Sequence, residues 1–280
     1  MTTLIRIPFT LSLLLMLVFS CKKKNDQPAP VKVGTFSYGD SVFYIRPQAA
    51  DYMVSPVDAP AGQYFGFPQG IELDGNTGAI NVSKSEAGLR YRIFFVPAGT
   101  EDTLTTVITI SGVNFLDGFY KLSVGDSIVY PVYNGKKDNP IPGLNNGSLF
   151  DEGSNCNSLG CNVDVVNGQI NLAQTVRNGV FGAIPSSNDR HEFQMNYRIN
   201  DKSQEAANTI KVKLYYFDTM SDVTQEVYDI ISSREGTIIE STGNPRLNLP
   251  PRISSPITIM GVPGAGKAKP RPPCIFIVRR

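Results

Sequence analysis

The sequence predicts an all-β protein made of two tandem β-sandwiches, followed by a small C-terminal segment with one short helix and a few strands. Two observations indicate this fold class. One sequence pattern, called the repeated line below, occurs twice, at positions 70–82 and again at 160–172. Around both copies lie short segments rich in Val, Ile, Thr, Tyr and Phe, in which apolar and polar residues alternate and turn residues intervene.

The repeated line has the skeleton Gly-x-x-apolar-Asp-x-x-x-Gly-x-Ile-Asn-apolar. Asp74 to Gly78 in the first copy, and Asp164 to Gly168 in the second, are residue types that favour tight turns. Each copy therefore predicts a β-hairpin. The isoleucine that follows the turn, Ile80 or Ile170, is predicted to be buried in the core of its sandwich.

The repeat extends in both directions. Three further blocks match in the same order: residues 39–44 with 125–130, 91–96 with 191–199, and 106–110 with 209–214. The spacing between blocks differs between the copies, so insertions fall in loops, where tandem domains tolerate them. Each unit has the length of a β-sandwich of about 100 residues. Residues 1–20 are predicted to be a signal peptide, and residues 21–32 a tether. The two sandwiches are predicted at residues 33–113 and 114–219, and the C-terminal segment at residues 220–280.

Residues 68–80 resemble the immunoglobulin-like repeats of bacterial surface proteins, whose hairpin reads Pro-x-Gly-apolar-x-apolar-Asp-x-x-Thr-Gly-x-Ile. The second copy has no counterpart of Pro68 or Thr77, and Cys161 stands where the first copy has Ile71. The resemblance implies two immunoglobulin-like sandwiches. It implies no particular activity, because one fold carries many functions.

The N-terminus predicts export. Arg6 precedes an apolar run over residues 7–19 that is too short to span a bilayer. The segment ending at Ser20-Cys21 resembles the bacterial lipoprotein signal, which implies that Cys21 becomes the lipidated first residue and that the membrane is a partner. Phe19 stands where that signal usually has a small residue, and the alternative is an ordinary signal peptide with Cys21 as a bystander. Residues 22–30 then read as a polar tether.

The charge balance argues against nucleic acid as a partner. Removal of residues 1–20 takes away one basic side chain, Arg6, and leaves 25 basic and 25 acidic side chains. A neutral chain lacks the excess of positive charge that binding to phosphate backbones requires.

The C-terminal segment predicts one helix, over residues 221–234, because Val223, Val227, Ile230 and Ile231 form an apolar stripe at helical spacing. Strands are predicted at 237–240, 257–260 and 274–278. The segment is either a third small unit or a tail whose last strand pairs with the preceding sandwich, and we favour the second interpretation.

Enzyme motifs are not convincing. Residues 261–268 approach a phosphate-binding loop, but Ala268 lacks the magnesium-binding hydroxyl and the following prolines prevent the required helix. His191 is the only histidine, and no nucleophile elbow accompanies it. We therefore predict no enzymatic activity and no cofactor.

Three groups of residues are candidates for binding or modification. Cys156 and Cys161 are expected to form a local disulfide in an oxidising compartment, and Cys274 is not assigned to a disulfide. Three carboxylates near these cysteines are weak calcium candidates, although turn formation explains them equally well. Four aromatic side chains are a candidate platform for a sugar ring, against the alternative that they fill the core. The carboxylates are Asp151, Glu152 and Asp164, and the aromatics are Tyr52, Tyr64, Phe65 and Phe67.

The lipoprotein signal, tether and tandem sandwiches together resemble surface lipoproteins of the Bacteroidota, which implies an outer-membrane location facing the surface or the periplasm. We predict a non-enzymatic envelope lipoprotein that acts as a binding, adhesion or spacer module. Its partner would be another surface protein or a glycan. The alternatives are a glycan-binding lipoprotein associated with an outer-membrane polysaccharide importer, and a hydrolase accessory protein.

Overall fold

The structure is a computed structural model that describes residues 36–58, 61–232 and 272–280. Within these residues the chain forms sixteen β-strands and two short α-helices, so the predicted all-β class is confirmed. The predicted signal peptide, the tether, Cys21, the strands at 237–240 and 257–260 and the loop at 261–268 lie outside the described residues.

The first sandwich contains seven strands in two sheets. One sheet has the order β1-β7-β6-β3, in which only the β1–β7 pair is parallel, and the other has the antiparallel order β2-β5-β4. This division and order of strands is that of an immunoglobulin-like sandwich. The strands are β1 Val42–Phe43, β2 Met53–Val54, β3 Gly62–Phe67, β4 Glu72–Leu73, β5 Ile80–Asn81, β6 Leu89–Pro97 and β7 Leu104–Ile110.

Strand β6 illustrates how alternation in the sequence builds this core. Leu89, Tyr91, Ile93 and Phe95 occupy every second position and are completely buried. They pack in one cluster with Ile80 of the repeated line. Full burial of each aliphatic or Phe side chain contributes about 1.5–3 kcal/mol of stabilisation, so the inward row of β6 is a major source of stability.

The second sandwich repeats the arrangement with eight strands before the C-terminal segment. The order β12-β14-β15 forms part of one sheet, and the pairs β10–β13 and β8–β11 form two further sheets of two strands each. The strands are β8 Val113–Phe115, β9 Gly118–Lys121, β10 Ile128–Val129, β11 Pro131–Tyr133, β12 Leu149–Phe150, β13 Ile170–Asn171, β14 Asp189–Arg198 and β15 Asn208–Phe217.

One predicted correspondence between the two units is wrong. Residues 39–44 and 125–130 match in sequence, but β1 in the first segment pairs with β7, whereas β10 in the second pairs with β13. The true counterpart of β10 is β2, which pairs with β5 in the identical register relative to the repeated Ile-Asn. Both segments contain a Gly-Asp-Ser turn before a strand, and this shared turn chemistry explains the misleading match. The other blocks correspond as predicted.

Two short helices accompany the strands, α1 Leu172–Arg177 and α2 Gln225–Ser232. The predicted helix over 221–234 is confirmed in part, because a 3-10 turn at Met220–Asp222 precedes α2. Its apolar stripe is confirmed, since Val227 is completely buried and Ile230 and Ile231 pack beside it. Helix α1 was not predicted from the sequence, because six residues are too few to show apolar side chains recurring at helical spacing.

The last strand, β16 Cys274–Val278, completes the second sandwich. It pairs with β15, as the sequence led us to expect, and also with β9, and both pairings are parallel. The resulting five-stranded sheet has the order β12-β14-β15-β16-β9.

Candidate binding cleft at the junction of the two sandwiches

The first copy of the repeated line is a hairpin held by its own side chains. Asp74 Oδ1 accepts hydrogen bonds from the backbone N–H groups of Asn76 and Thr77, both at 2.9 Å. Gly78 has a φ of +71°, and a Cβ there would lie 2.6 Å from the Tyr64 ring. Asn81 Oδ1 then accepts from the N–H of Lys84 and caps the following 3-10 turn.

The second copy makes the same contacts. Asp164 Oδ1 accepts from Val166 N–H at 2.8 Å, and Asn171 Oδ1 accepts from the N–H of Gln174, which caps α1. Gly168 has a φ of +73°, and a Cβ there would lie 2.6 Å from the Phe150 ring. The repeated aspartates and asparagines are therefore structural, and they satisfy backbone groups where the chain turns.

Asp151 organises the loop that follows β12. Its carboxylate accepts hydrogen bonds from the Ser154 hydroxyl, from Cys156 N–H at 2.9 Å and from both the backbone and the side chain of Asn157. Burial alone would raise the pKa of Asp151, but these hydrogen bonds outweigh it and the pKa is lowered.

The predicted calcium ligands are not brought together. Asp151 holds its own loop, Glu152 forms an ion pair with Arg198 at 2.8 Å, and Asp164 belongs to the hairpin turn. Among the residues that the structure describes, no group of three His, Cys, Asp or Glu side chains is arranged to hold a metal ion. Each carboxylate serves a separate structural contact, so the described residues give the calcium interpretation no support and it stays a prediction.

Cys156 and Cys161 are both buried and are free thiols in the structure. The Cys156 thiol donates to the Gln194 carbonyl at 3.2 Å, and Cys161 N–H donates to the Cys156 carbonyl at 2.9 Å. Burial raises the pKa of both thiols, to about 12 for Cys161. The structure therefore does not contain the expected disulfide, and the pairing stays a prediction for the exported protein. Cys274, whose state the sequence left open, is buried, and its thiol donates to the Pro272 carbonyl at 3.3 Å.

The structure does not place Tyr64 and Phe65, two of the four candidate sugar-binding aromatics, on one exposed surface. Tyr64 is 2% exposed and stacks on Phe95 in the core, with ring centroids 4.6 Å apart. Phe65 is 6% exposed and packs with Phe94 and Phe67 in a separate cluster. Neighbouring residues of a strand point to opposite faces, so Tyr64 and Phe65 of β3 cannot form one flat surface.

Tyr52 and His191 also lack the setting of a functional group. The Arg46 guanidinium lies 5.3 Å from the Tyr52 ring centroid and occupies one face of that ring. His191 is exposed on β14 and packs edge-on against Phe181 at 5.3 Å.

A second carboxylate cluster lies where the two sandwiches meet. Asp201, in the loop between β14 and β15, accepts from the Tyr133 hydroxyl at 2.7 Å and from the Ser111 hydroxyl at 3.0 Å through the same oxygen, Oδ2. Its other oxygen accepts from Ser203 N–H at 2.7 Å. Burial, followed by the hydrogen bond to Asp201, raises the pKa of Tyr133. Ser111 directly follows the last strand of the first sandwich, so this cluster ties that end to the second sandwich.

The connecting residues are fixed from both sides. Asn134 N–H donates to the Gly112 carbonyl at 2.9 Å, and Gly112 N–H donates to Asn134 Oδ1 at 3.0 Å. Val113 N–H donates to the Tyr197 hydroxyl at 3.3 Å. Gly112 has a φ of +150°, and a Cβ there would lie 2.7 Å from both the Ala87 Cβ and the Tyr197 hydroxyl. Only glycine fits this passage.

A third set of contacts joins the sandwiches directly. The Asn114 side chain in β8 donates to Glu86 Oε1 at 2.9 Å and more weakly to the Ala87 carbonyl at 3.4 Å. A Cβ on Gly88 would lie 2.3 Å from the Val113 backbone, so the two backbones approach closely here. The junction is packed as well as hydrogen-bonded.

Beside this junction lies a cavity of about 410 Å³ with walls from both sandwiches. Lys84 and Glu86 line one wall, and Glu192, Thr209 and Lys211 line the other. Pockets at domain boundaries are common places for ligands. Here the charges already have partners: Lys84 contacts Asp51 at 2.7 Å, Lys211 contacts Glu192 at 3.0 Å, and Glu86 accepts from Asn114. The cleft thus offers paired charges of both signs and is suited to a polar contact surface.

Sequence reasoning missed Ser111, Tyr133, Tyr197 and Asp201. The chain does carry one signal, the Ser-Gly pair at 111–112 between the last strand of one unit and the first strand of the next. A glycine at so short a connection indicates that two domains approach closely.

No protein-family model and no curated protein sequence matches the chain. Among solved structures, the chain is similar to Drosophila N-cadherin EC1-4, with 11% identity and a TM-score of 0.21 over 65% of this chain and 48% of that one, so it spans about half of that structure. It is also similar to human protocadherin-24 EC1-2, with 5% identity and a TM-score of 0.22 over 65% and 96% of the two chains. For Drosophila OTK extracellular domains 3-5 the identity is 10% and the TM-score 0.21, over 65% and 61%. The immunoglobulin-like fold is established by the strand order rather than by these low scores.

None of the helices in the described part of the chain has the length and apolar character needed to cross a membrane.

Proposed function

We propose that this protein is a non-enzymatic cell-envelope lipoprotein whose two immunoglobulin-like sandwiches act as one rigid binding or spacer module. The observation that carries the proposal is the junction, where the half-buried Asp201 cluster, the fixed Ser111-Gly112 connection and the Asn114–Glu86 contact act together. A flexible pair of domains needs no such contacts, because a polar linker alone would keep them together.

The energetics support a single orientation. A hydrogen bond to a charged group contributes about 1.5–3 kcal/mol, and Asp201 accepts two from hydroxyl groups that are themselves buried. Loss of the carboxylate would leave the hydroxyls of two buried side chains without this acceptor. Reorienting the sandwiches would carry this cost, so one arrangement dominates.

The membrane anchor of the proposal depends on Cys21. The signal-like sequence ending at Ser20-Cys21 and the polar residues that follow support a lipidated cysteine and a short tether. A Cys21→Ala variant should move from the membrane fraction to the soluble fraction of the cell, whereas Cys274→Ala should stay in the membrane fraction. Membrane retention of Cys21→Ala would contradict lipid anchoring without affecting the account of the junction.

The glycan-binding alternative gains no support from the described residues, because Tyr64 and Phe65 are buried. The alternative of a hydrolase accessory protein likewise has no specific contact in its favour. A binding or spacer role for another surface protein fits the geometry best.

The rigidity can be measured as a distance distribution between the two sandwiches. Spin labels at Asp102→Cys in the first sandwich and Ile184→Cys in the second would occupy exposed loops. Double electron–electron resonance should give one narrow distance peak. Tyr133→Phe removes one junction hydroxyl and should broaden the peak. Tyr216→Phe removes a hydroxyl that donates to Asp218 within the second sandwich, away from the junction, and it should leave the peak unchanged. A broad peak in the otherwise unaltered protein would refute the proposal.

A further inference from the structure

The second sandwich has a position for one strand that the first sandwich lacks. In the first sandwich, β1 lies directly against β7 in parallel. In the second, the corresponding edge strand β9 lies one strand further out, and β16 occupies the space between β9 and β15. We call this space the β16 slot.

The contacts of β16 are those of a central strand. Ile275 and Ile277 point into the core of the second sandwich, whereas Cys274, Phe276 and Val278 pack in the cluster that includes Val227 of α2. All five side chains are at most 2% exposed. A strand in this slot therefore packs apolar side chains on both of its faces and pairs its backbone with a neighbouring strand on both of its edges.

Backbone contacts continue beyond the strand at each end. Lys213 N–H donates to the Pro273 carbonyl at 2.9 Å, and Arg279 N–H and Arg280 N–H donate to the carbonyls of Phe217 and Asp218. Asp117 Oδ1 also accepts from Cys274 N–H. The strand is thus recognised along its whole length by β15 and by the entry to β9.

The strand that fills the slot is distant in sequence from the rest of its sheet. Helix α2 ends at Ser232 and β16 begins at Cys274, so 41 residues connect them. A chain of that length can reach at most about 140 Å when fully extended, which is far more than the width of one sandwich. Parallel pairing requires a crossover connection, and its length leaves the β16 of a second copy within reach of the same slot.

We infer that β16 exchanges between copies of this protein, so that the slot of one molecule accepts the C-terminal strand of another. The contacts made by an exchanged strand are identical to those made within one chain, so exchange costs little beyond the association itself. The connection holds the chain's own strand at an effective concentration on the order of a millimolar or below, so exchange occurs where copies are crowded to a comparable concentration or refold together. The partner is therefore a second copy of this chain.

A disulfide that only exchange can form tests this inference. Lys213 and Cys274 are register partners on β15 and β16. A tagged full-length chain carrying Lys213→Cys and Cys274→Ala is mixed with an untagged chain that keeps Cys274, and the mixture is partly unfolded, refolded and oxidised. We expect a covalent dimer that contains one chain of each kind. Lys211→Cys with Cys274→Ala is the matched control, because Lys211 precedes the segment of β15 that contacts β16, and it should give no dimer.

Two further measurements make a negative result decisive. Lys213→Cys alone should close a disulfide within one chain, which shows that the geometry permits the bond. A labelled peptide of residues 272–280 should bind the refolding full-length protein, whereas the same peptide with Ile275→Asp and Ile277→Asp should not. If the single chain closes but neither the mixed dimer nor the bound peptide forms, β16 stays in its own molecule and the inference is overturned.

Discussion

The Ser111 hydroxyl donates to Asp201 Oδ2 at 3.0 Å, although ninety positions separate the two residues in the chain. Ser111 ends the first sandwich, and Asp201 lies in a loop of the second. The Tyr133 hydroxyl shares the same oxygen at 2.7 Å. This one carboxylate therefore connects the exit of the first sandwich with two separate segments of the second.

Replacing Asp201 should destabilise the protein strongly. Asp201→Ala leaves the hydroxyls of Ser111 and Tyr133 without their acceptor in a buried site, and each such loss costs about 1–3 kcal/mol. We expect the free energy of unfolding, measured in urea, to fall by roughly 2–5 kcal/mol. Asp126→Ala, in an exposed turn of the second sandwich, should change it by at most about 0.5 kcal/mol. Equal effects of the two substitutions would show that Asp201 has no special role.

The glycine of the repeated line should tolerate no side chain. Gly168→Ala places a Cβ 2.6 Å from the Phe150 ring and also forces an L-residue to a φ of +73°. The left-handed backbone costs about 1–2 kcal/mol, and the displaced ring adds about 1–3 kcal/mol. Gly179→Ala, at a φ of +82° with no atom within 4 Å of the new Cβ, should lose only the backbone term. Thermal unfolding of both variants checks this, and a Gly168→Ala protein no less stable than Gly179→Ala would contradict it.

The repeated line was predictable because its information is local. Turn residues at Asp74 and Asp164, and the isoleucines that follow, can be recognised without knowledge of any distant contact. The junction could not be predicted in this way, since Ser111, Tyr133 and Asp201 meet only after both sandwiches have formed.

The central position of β16 in its sheet likewise could not be predicted from the sequence. Its five apolar residues predict a buried strand, and the expected pairing with the second sandwich is correct. Pattern alone does not reveal which strands flank it. Tyr64 and Phe65 are adjacent in the sequence, but neighbouring residues of a strand point to opposite faces, so adjacency alone does not place them on one surface.

The Asp151 loop should weaken in acid. The pKa of Asp151 lies below its ordinary value of 3.8, because the hydrogen bonds from Ser154, Asn157 and Cys156 outweigh burial, the largest single effect, which acts to raise it. Its ionised form therefore stabilises the folded state above pH 4, and this contribution is lost as the pH falls through the lowered pKa. The stability difference between the unaltered protein and Asp151→Asn should shrink between pH 7 and pH 3. A difference that stays constant over this pH range would contradict this role.

The cysteine pair gives a prediction about the exported protein. Burial raises the pKa of Cys161 to about 12, so at pH 8 the thiol is protonated and alkylation of the folded, reduced protein should be slow. In protein recovered from an oxidising compartment, we expect Cys156 and Cys161 to be linked and to resist alkylation even after unfolding. Mass spectrometry of the digested protein distinguishes the linked peptide from two alkylated cysteines. Full alkylation without a reductant would show that the pair stays reduced.

Nuclear magnetic resonance of the weakly aligned, intact protein tests the central claim most directly. Residual dipolar couplings from the backbone amides of each sandwich define an alignment tensor for that sandwich. The junction centred on Asp201 predicts that the two tensors have the same magnitude and orientation, as two parts of one rigid body must. Tensors that differ in magnitude would show that the sandwiches move independently, and the rigid-module account would then be wrong.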